Sequence, residues 1–348
     1  MTRGDDILIV SATDFHYTRV NPRGRSDDFG QAVIRKLTEL VITGNKLRAD
    51  AVAIPGDLFD RKGQVTVQET ADLAGVLAKA EVPVLGIMGN HDQIGYRVDS
   101  LPKTGYGVLV NAGLLRHLDD EPFLIERNGI TVCVTGCSYR DGVDRGARES
   151  YFPERQRCHW QIHLAHGYLL DMKQSVIEEF TPYADVAGTE ADCILCGHYH
   201  PEQKTKRVKN ARSGCVIVCQ GAASRGALTT DNIDRVPKMV ILRIDKEGIR
   251  PSLRRFRSAE PSTAVLKFEE KGRKKERDTR LRSFAESLRE EAGKMGDSYT
   301  PEELVATLGD DMPELPEGID KDEVLLEVKR YLEQAGVGQG EQEHGKQA

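Results

Sequence analysis

The alternation of apolar and amphipathic segments over the first 90 residues constrains the fold of this chain most strongly. Ile7–Ser11 is a short, β-branched run typical of a strand, and apolar residues then recur at helical spacing between positions 29 and 41. Strands are also predicted at Ala51–Pro55 and at 82–88, with a helix over 66–80 between them. This β-α-β-α-β order predicts a mainly parallel sheet flanked by helices, with functional loops at the carboxyl ends of its strands.

The pattern changes after residue 120, where strand-like segments dominate. Segments 123–126 and 130–135 flank Asn128 and Gly129, a dipeptide typical of a two-residue hairpin turn. Further strands are predicted at 160–165, 193–196, 214–219 and 239–244. Two β-rich halves, each with helices outside, predict an α/β protein built as a four-layer α/β/β/α sandwich.

A polar, proline-containing stretch at 258–262 predicts a domain boundary. We expect a large domain over 1–258 and a smaller carboxyl-terminal accessory region with helices and a frayed tail over 259–348. The helix candidates of that region, at 281–295 and 322–335, carry only short apolar stripes. Such helices gain stability mainly by packing against another surface, so the region either docks a partner or DNA, or folds back on the large domain.

Composition excludes several classes of protein. The balance of 49 Lys and Arg against 55 Asp and Glu gives a net charge of −6, so no overall positive field attracts nucleic acid or anionic lipid. No window approaches the roughly 20 apolar residues that cross a bilayer, and no signal-peptide core is recognisable. Seven cysteines without an export signal predict reduced thiols and a cytoplasmic protein.

Five short polar motifs fall at the predicted ends of strands, and they contain five of the nine histidines. The motifs are Asp14-Phe15-His16, Gly56-Asp57, Gly89-Asn90-His91-Asp92, His166-Gly167 and Gly197-His198-Tyr199-His200. In extended chain, positions i and i+2 face the same side, so Asp14 and His16 point together. Two carboxylates, an amide oxygen and four imidazoles predict a nitrogen and oxygen shell for two adjacent divalent ions.

This ordered set resembles the calcineurin-like metallophosphoesterase superfamily. The resemblance implies two metal sites joined by the bridging carboxylate of Asp57. The first ion would be held by Asp14, His16 and His200, and the second by Asn90, His166 and His198. His91 would face the scissile phosphate as general acid and would not be a ligand. Mn²⁺ is the expected metal, with Fe²⁺ or Zn²⁺ as alternatives.

Within the superfamily the chain is most similar to the SbcD-type DNA repair nucleases. The similarity lies in Gly56-Asp57-Leu58-Phe59, in the third motif and in the extra region after the core. It implies a dinuclear metal-dependent phosphodiesterase that cleaves DNA as an exonuclease or endonuclease. It also implies an SMC-type coiled-coil ATPase, SbcC-like, as partner, and it leaves a homodimer open.

One position departs from that pattern. Asp60 stands where those nucleases usually carry histidine, and Asp57, Asp60 and Arg61 together resemble the phosphoprotein phosphatases. In those enzymes the equivalent aspartate orients the catalytic histidine and the arginine binds phosphate. A phosphatase or small-molecule phosphodiesterase is therefore the alternative, which the acidic net charge also favours. A non-catalytic scaffold is disfavoured because no ligand of the set is missing.

A segment between residues 139 and 157 mixes bases with aromatic residues. It contains Tyr139, Tyr151, Phe152 and five arginines, a composition that suits a nucleic-acid strand. Four acidic residues lie among them, so a solvated loop of mixed charge is an equal interpretation.

Overall fold

The computed structural model describes residues 5–145, 148–171, 177, 179–210, 212 and 214–268. The strands in this part of the chain are β1 (Ile7–Ser11), β2 (Ala51–Pro55), β3 (Val84–Ile87), β4 (Arg116–His117), β5 (Phe123–Arg127), β6 (Ile130–Cys137), β7 (Trp160–Gly167), β8 (Leu169–Leu170), β9 (Thr181–Pro182), β10 (Cys193–His198), β11 (Lys206–Val208), β12 (Cys215–Val218), β13 (Lys238–Ile244) and β14 (Ile249–Arg255). The α-helices are α1 (Phe29–Leu47), α2 (Val67–Leu77), α3 (Gly105–Asn111), α4 (Thr230–Asp234) and α5 (Ser262–Val265). Short 3₁₀ segments are Val98–Lys103, Arg148–Tyr151 and Tyr183–Val186.

The first sheet has the strand order β14-β13-β1-β2-β3-β4, and β1, β2 and β3 are parallel. Helix α1 begins where Asp28 accepts a hydrogen bond from the Gln31 amide, and α2 begins at a capping box formed by Thr66 and Glu69. The β-α-β-α-β prediction is confirmed in this half, and the carboxyl ends of its parallel strands lie at one edge of the sheet.

The second sheet has the order β11-β12-β10-β7-β6-β5, with β6, β7, β10 and β12 parallel. The predicted hairpin is present between β5 and β6. Asn128 and Gly129 both have positive φ, at 50° and 73°, as a type I′ turn requires.

Side chains alternate between two cores along the strands. Ile7 and Ile9 pack between the sheets against residues such as Val132 and Ile162, whereas Val10 packs on the α1 side. The fold class is thereby confirmed as α/β with two packed sheets. On the outer face of the second sheet, the described residues provide 3₁₀ segments and loops, where the sequence predicted helices.

The first compact unit runs from the amino terminus through Lys267. Its last residues are tied to the core, since the Ser258 amide donates to Glu39 at 2.8 Å and the Lys267 amide donates to the Gly24 carbonyl at 2.9 Å. Residues 269–348, which hold most of the predicted accessory region and its helix candidates, lie outside the described residues. The division at residue 258 therefore stays a prediction.

All seven cysteines are free thiols, as expected. Among the described residues, no helix combines the length and the apolar character needed to cross a bilayer.

Candidate metal centre

The ends of five strands from both sheets bring the predicted motif residues together. Asp14 and His16 follow β1, Asp57 follows β2, and Asn90 and His91 follow β3. From the second sheet come His166, near the end of β7, His198 at the end of β10, and His200 just beyond it. Because β7 and β10 are parallel neighbours, with His166 in register with Gly197, their last residues face the same edge.

Unusual backbone geometry marks this edge. Seven non-glycine residues among those described have positive φ, and four of them are predicted ligands: Asp14 at 55°, His16 at 46°, Asp57 at 50° and His198 at 89°. Such conformations are unfavourable for most side chains and cluster at functional sites. The chain therefore turns sharply after β1 and β2 and at the end of β10, and these turns direct the four side chains toward one another.

The first donor group consists of Asp14, His16 and His200, whose ligand atoms lie within 4.8 Å of one another. The Nε2 atoms of His16 and His200 are only 2.9 Å apart, and each lies 3.9 Å from Asp14 Oδ1. Two imidazole nitrogens and a buried carboxylate oxygen that converge in this way are suited to a divalent cation.

The second donor group consists of Asp57, His166 and His198, again within 4.8 Å. The Nε2 atom of His166 lies 3.3 Å from Asp57 Oδ2 and 3.3 Å from Asn90 Oδ1. Asp57 Oδ2 is also 3.5 Å from His16 Nε2 in the first group. This carboxylate therefore lies between the two groups, where a bridging ligand is needed.

Buried partners orient the ligands. The Nδ1 of His166 donates to the Pro55 carbonyl at 2.8 Å, which leaves Nε2 available to a metal. The Asp14 carboxylate accepts the His198 amide at 3.0 Å, so the first and fifth motifs are fixed to each other. Asp92 joins the second and third motifs, since it accepts the Phe59 and Gly89 amides, both at 2.9 Å.

Two glycines allow the loops to approach this closely. A Cβ on Gly89 would lie 2.1 Å from Asp57 Oδ1, and one on Gly56 would lie 2.4 Å from His166 Nδ1. Both distances are shorter than any van der Waals contact, and Gly56 also has a φ of 92°. The glycines that precede Asp57 and Asn90 are thus required by the packing of the centre.

The electrostatics favour cation binding. Burial, and next to it the neighbouring His166, lowers the pKa of His198 to about 3. Burial, and next to it the neighbouring His16, lowers the pKa of His200 to about 2. Both side chains are therefore neutral imidazoles at pH 7, the form that binds a metal. Burial opposes ionisation of Asp57, but the imidazoles of His166 and His16 lower its pKa well below the usual value. Burial also opposes a charge on His166, yet Asp57 raises its pKa to about 9, so a metal ion would compete with a proton there.

His91 is partly exposed, with 28% of its side chain accessible, as is His200 at 43%. Its amide donates to Asp57 Oδ1 at 2.8 Å, and its Nδ1 donates to the backbone carbonyl of Asp60. This leaves Nε2 as the nitrogen that can exchange a proton with a bound phosphate ester. His91 also forms a ligand-spaced triplet with His16 and Asp57, so its predicted role as general acid stays a prediction.

The Asp60 carboxylate lies closer to His16 than to His91. It is 3.3 Å from Nδ1 of His16 and 3.9 Å from Nδ1 of His91, and 40% of the side chain is exposed. Asp60 therefore bonds His91 through its main-chain carbonyl, and its carboxylate lies near both imidazoles. Its role in orienting His91 stays a prediction. The Arg61 guanidinium reaches Gln64 Oε1 at 3.4 Å, and its phosphate-binding role stays a prediction.

Asp60→Asn should lower turnover about 10- to 100-fold while leaving metal content unchanged, because residues that orient a ligand commonly matter by that factor. Steady-state cleavage of a phosphodiester and elemental analysis of the same sample check this. Asp99→Asn, which changes a carboxylate that is 66% exposed and paired with Arg97, is the control. Unchanged turnover in Asp60→Asn would remove this residue from the mechanism.

Two groups near the centre were not assigned from the sequence. Tyr168 lies against His198, with ring centroids 4.2 Å apart, and Tyr139 lies 5.4 Å from the same ring. Tyr139 belongs to the mixed segment noted above, and Tyr168 directly follows the His166-Gly167 motif without a sequence signal of its own. Of the other aromatic residues in that segment, Tyr151 is fully buried in the core and cannot contact a nucleic-acid strand.

The comparisons with known proteins agree with this geometry. The family model for calcineurin-like phosphoesterases matches residues 7–202. The DNA double-strand break repair protein Mre11 from Archaeoglobus fulgidus is 31% identical over 104 residues, which are 29% of this chain and 21% of that protein.

Two solved structures are similar to this chain at low sequence identity. The 5′-nucleotidase precursor from Thermus thermophilus has a TM-score of 0.46 and 11% identity, over 77% of this chain and 57% of its own. The purple acid phosphatase PPD1 from yellow lupin (Lupinus luteus) has a TM-score of 0.46 and 17% identity, over 72% of this chain and 51% of its own. This chain thus spans about a fifth of the curated relative and little more than half of either structure.

The family match covers more than half of the 348 residues. It includes every predicted ligand and His91, and the donor atoms of those ligands converge as a divalent metal requires. The chain belongs to the calcineurin-like phosphoesterase family, whose members are metal-dependent hydrolases.

Proposed function

We propose that this protein is a dinuclear metal-dependent phosphodiesterase that cleaves DNA. The observation that carries the dinuclear part is the position of Asp57 Oδ2, 3.5 Å from His16 Nε2 in one donor group and 3.3 Å from His166 Nε2 in the other. DNA as substrate is supported by the partial similarity to the repair protein Mre11 and by the form of the second and third motifs.

The residues of the centre would have three roles: to hold the ions, to balance their charge and to supply a proton. Two divalent ions held by these groups would clamp the phosphate oxygens and supply a nucleophile at neutral pH. Asp57 would supply negative charge between two such ions, while imidazoles in their neutral, metal-binding form and the Asn90 oxygen would leave the centre attractive to a phosphate. His91, at the exposed side of the centre, delivers a proton from Nε2 to the leaving oxygen.

A phosphatase or small-molecule phosphodiesterase is the second candidate. It is supported by Asp60 and Arg61, which follow the phosphatase pattern in sequence, and by the net charge of −6. A compact, partly exposed centre could accept a small ester as readily as a DNA end, so substrate comparison is needed to separate the two candidates.

Four further properties belong to the same proposal. Mn²⁺ is the proposed metal because the mixed oxygen and nitrogen ligand set suits it, with Fe²⁺ or Zn²⁺ as alternatives. The resemblance to SbcD-type nucleases supports an SMC-type coiled-coil ATPase as partner, and a homodimer is compatible with it. A cytoplasmic location is supported by the seven free thiols.

Cleavage of labelled linear, hairpin and single-stranded DNA should be abolished by EDTA and restored by Mn²⁺. p-Nitrophenyl phosphate and bis(p-nitrophenyl) phosphate are measured beside the DNA substrates, at equal enzyme concentration. Faster turnover of DNA than of the monoester supports the proposal. Hydrolysis of the monoester without any cleavage of DNA would replace it with the phosphatase alternative.

A further inference from the structure

Four tyrosines form a continuous row along the metal centre, and we call them the tyrosine row: Tyr96, Tyr139, Tyr168 and Tyr199. Centroid distances along it are 5.9 Å from Tyr96 to Tyr139 and 6.4 Å from Tyr168 to Tyr199. His198 lies between the two inner rings, 5.4 Å from Tyr139 and 4.2 Å from Tyr168. Aromatic rings therefore lie on both sides of His198, one of the predicted metal ligands.

These rings are accessible although they lie beside a buried centre. Tyr96 is 43% exposed, and the other three rings are half-buried. Aromatic side chains that serve only as core packing are buried much further, as Tyr106 and Tyr151 are, at 0%. Exposed aromatic surface next to a polar centre is a common feature of ligand-binding sites.

The backbone holds the two inner rings in place. The Tyr139 amide donates to the Met88 carbonyl at 2.9 Å, and its carbonyl accepts from the buried Gln93 side chain at 2.8 Å. The Tyr168 amide donates to Asp144 Oδ2 at 2.9 Å. Neither phenolic oxygen has a hydrogen-bond partner among the described residues, so the rings are presented by the main chain. A ligand that stacks on these rings therefore loses little binding free energy to the entropy of ordering them.

A groove of suitable size for a nucleotide lies beside the row, and a cation lies at one end of the row. A groove of about 290 Å³ lies between Tyr139 and Tyr168, and the charged residues of its wall are Asp144 and the ion pair of Arg145 and Glu179, at 2.7 Å. That volume is close to the lower end of small-ligand pockets, about 300 Å³. At the other end, the Lys62 ammonium lies 4.4 Å over the Tyr96 ring, where a backbone phosphate could be neutralised.

We propose that the tyrosine row binds the bases of a single DNA strand whose scissile phosphate lies at the metal centre. The inference rests on the DNA phosphodiesterase function proposed above and names the form of substrate that the centre takes. Every base has an aromatic face, so stacking is tolerant of sequence, and successive rings follow successive bases. Each inner ring should contribute about 5- to 150-fold to affinity, the range typical of one stacked base.

The test compares a strand that has bases with one that lacks them. Full-length, metal-loaded protein carrying His91→Ala, checked first for loss of cleavage, is titrated with fluorescently labelled oligothymidylate and with an abasic strand of equal length. Tyr139→Ala and Tyr168→Ala should each weaken the binding of oligothymidylate by about 5- to 150-fold and change the binding of the abasic strand little. Phenylalanine at either position should restore affinity, because neither hydroxyl group has a hydrogen-bond partner in the described part of the chain.

Leu124→Ala is the control, since it removes a side chain that is 51% exposed on β5, at the far edge of the second sheet. It should bind both strands as the parent does. Elemental analysis should show that each tyrosine variant keeps its full metal content. If the rings served only to pack against His198, their removal would lower the metal content instead.

Equal affinity of the parent for both strands would overturn the inference, and so would an equal loss for both strands in the alanine variants. Cleavage is measured in parallel with His91 intact. If the enzyme cleaves DNA and shows no preference for bases, the tyrosine row alone is refuted. If it cleaves neither strand, the proposed DNA function fails and the inference fails with it.

Discussion

Replacing Asp57 with asparagine should remove bound metal and lower phosphodiester cleavage by about 10³-fold or more, since metal clamping supplies several kcal/mol of transition-state stabilisation. Oδ2 of Asp57 lies between the two donor groups, so the neutral amide takes away the charge that holds two cations close together. Asparagine preserves the rest of the site. It tolerates the φ of 50°, and its oxygen can still accept the His91 amide that Asp57 Oδ1 now binds at 2.8 Å.

Asp192→Asn makes the same chemical change at a buried carboxylate away from the centre. Asp192 is 1% exposed, pairs with Arg155 at 2.7 Å and precedes β10, at the end of that strand opposite His198. It should lower the unfolding temperature and leave metal content and turnover per folded molecule unchanged. An Asp57→Asn protein that is depleted of metal but turns over normally would exclude the dinuclear centre.

The positions of the ligands along the chain could be predicted because each follows a recognisable apolar run. Ile7–Ser11 and Ala51–Pro55 are buried on both faces and therefore contain few polar residues, so Asp14 and Asp57 stand out where the runs end. Parallel strands then place these ends at one edge of a sheet. That the second sheet contributes His166 and His198 to the same point was implied by the family resemblance, since no local pattern encodes the packing of one sheet on another.

The contacts that the sequence did not reveal depend on neighbours that are distant in sequence. The Asp60 carboxylate lies nearer to His16 than to His91, because the turn after β2 passes beside the turn after β1, as the hydrogen bond from the Asp60 amide to the Tyr17 carbonyl shows. A three-residue offset from Asp57 contains no information about that contact. Tyr151 was grouped with the nucleic-acid candidates and Tyr168 was not, yet Tyr151 is buried in the core and Tyr168 lies against His198.

His91→Ala should reduce DNA cleavage by about 10² to 10⁴-fold, the usual contribution of general acid catalysis, and leave the metal content unchanged. The Nδ1 hydrogen bond to the Asp60 carbonyl fixes the ring with Nε2 free, and the ring lies edge-on to His16 with centroids 4.6 Å apart. A sugar hydroxyl is a poor leaving group and needs that proton. p-Nitrophenolate is stable without one, so bis(p-nitrophenyl) phosphate should lose much less rate in the same variant.

This difference between leaving groups separates an acid from a ligand. If His91 held a metal together with His16 and Asp57, its loss would deplete the metal and slow both substrates alike. If it donates a proton, only the substrate with the poor leaving group suffers strongly, and added imidazole should restore part of the DNA cleavage. His159→Ala removes an exposed histidine whose only described contacts lie away from the centre, around Thr131, Arg155 and Arg212, and should change neither rate. Equal losses on both substrates with full metal content would refute the acid role, because a group that only positions the phosphate does not sense the basicity of the leaving oxygen.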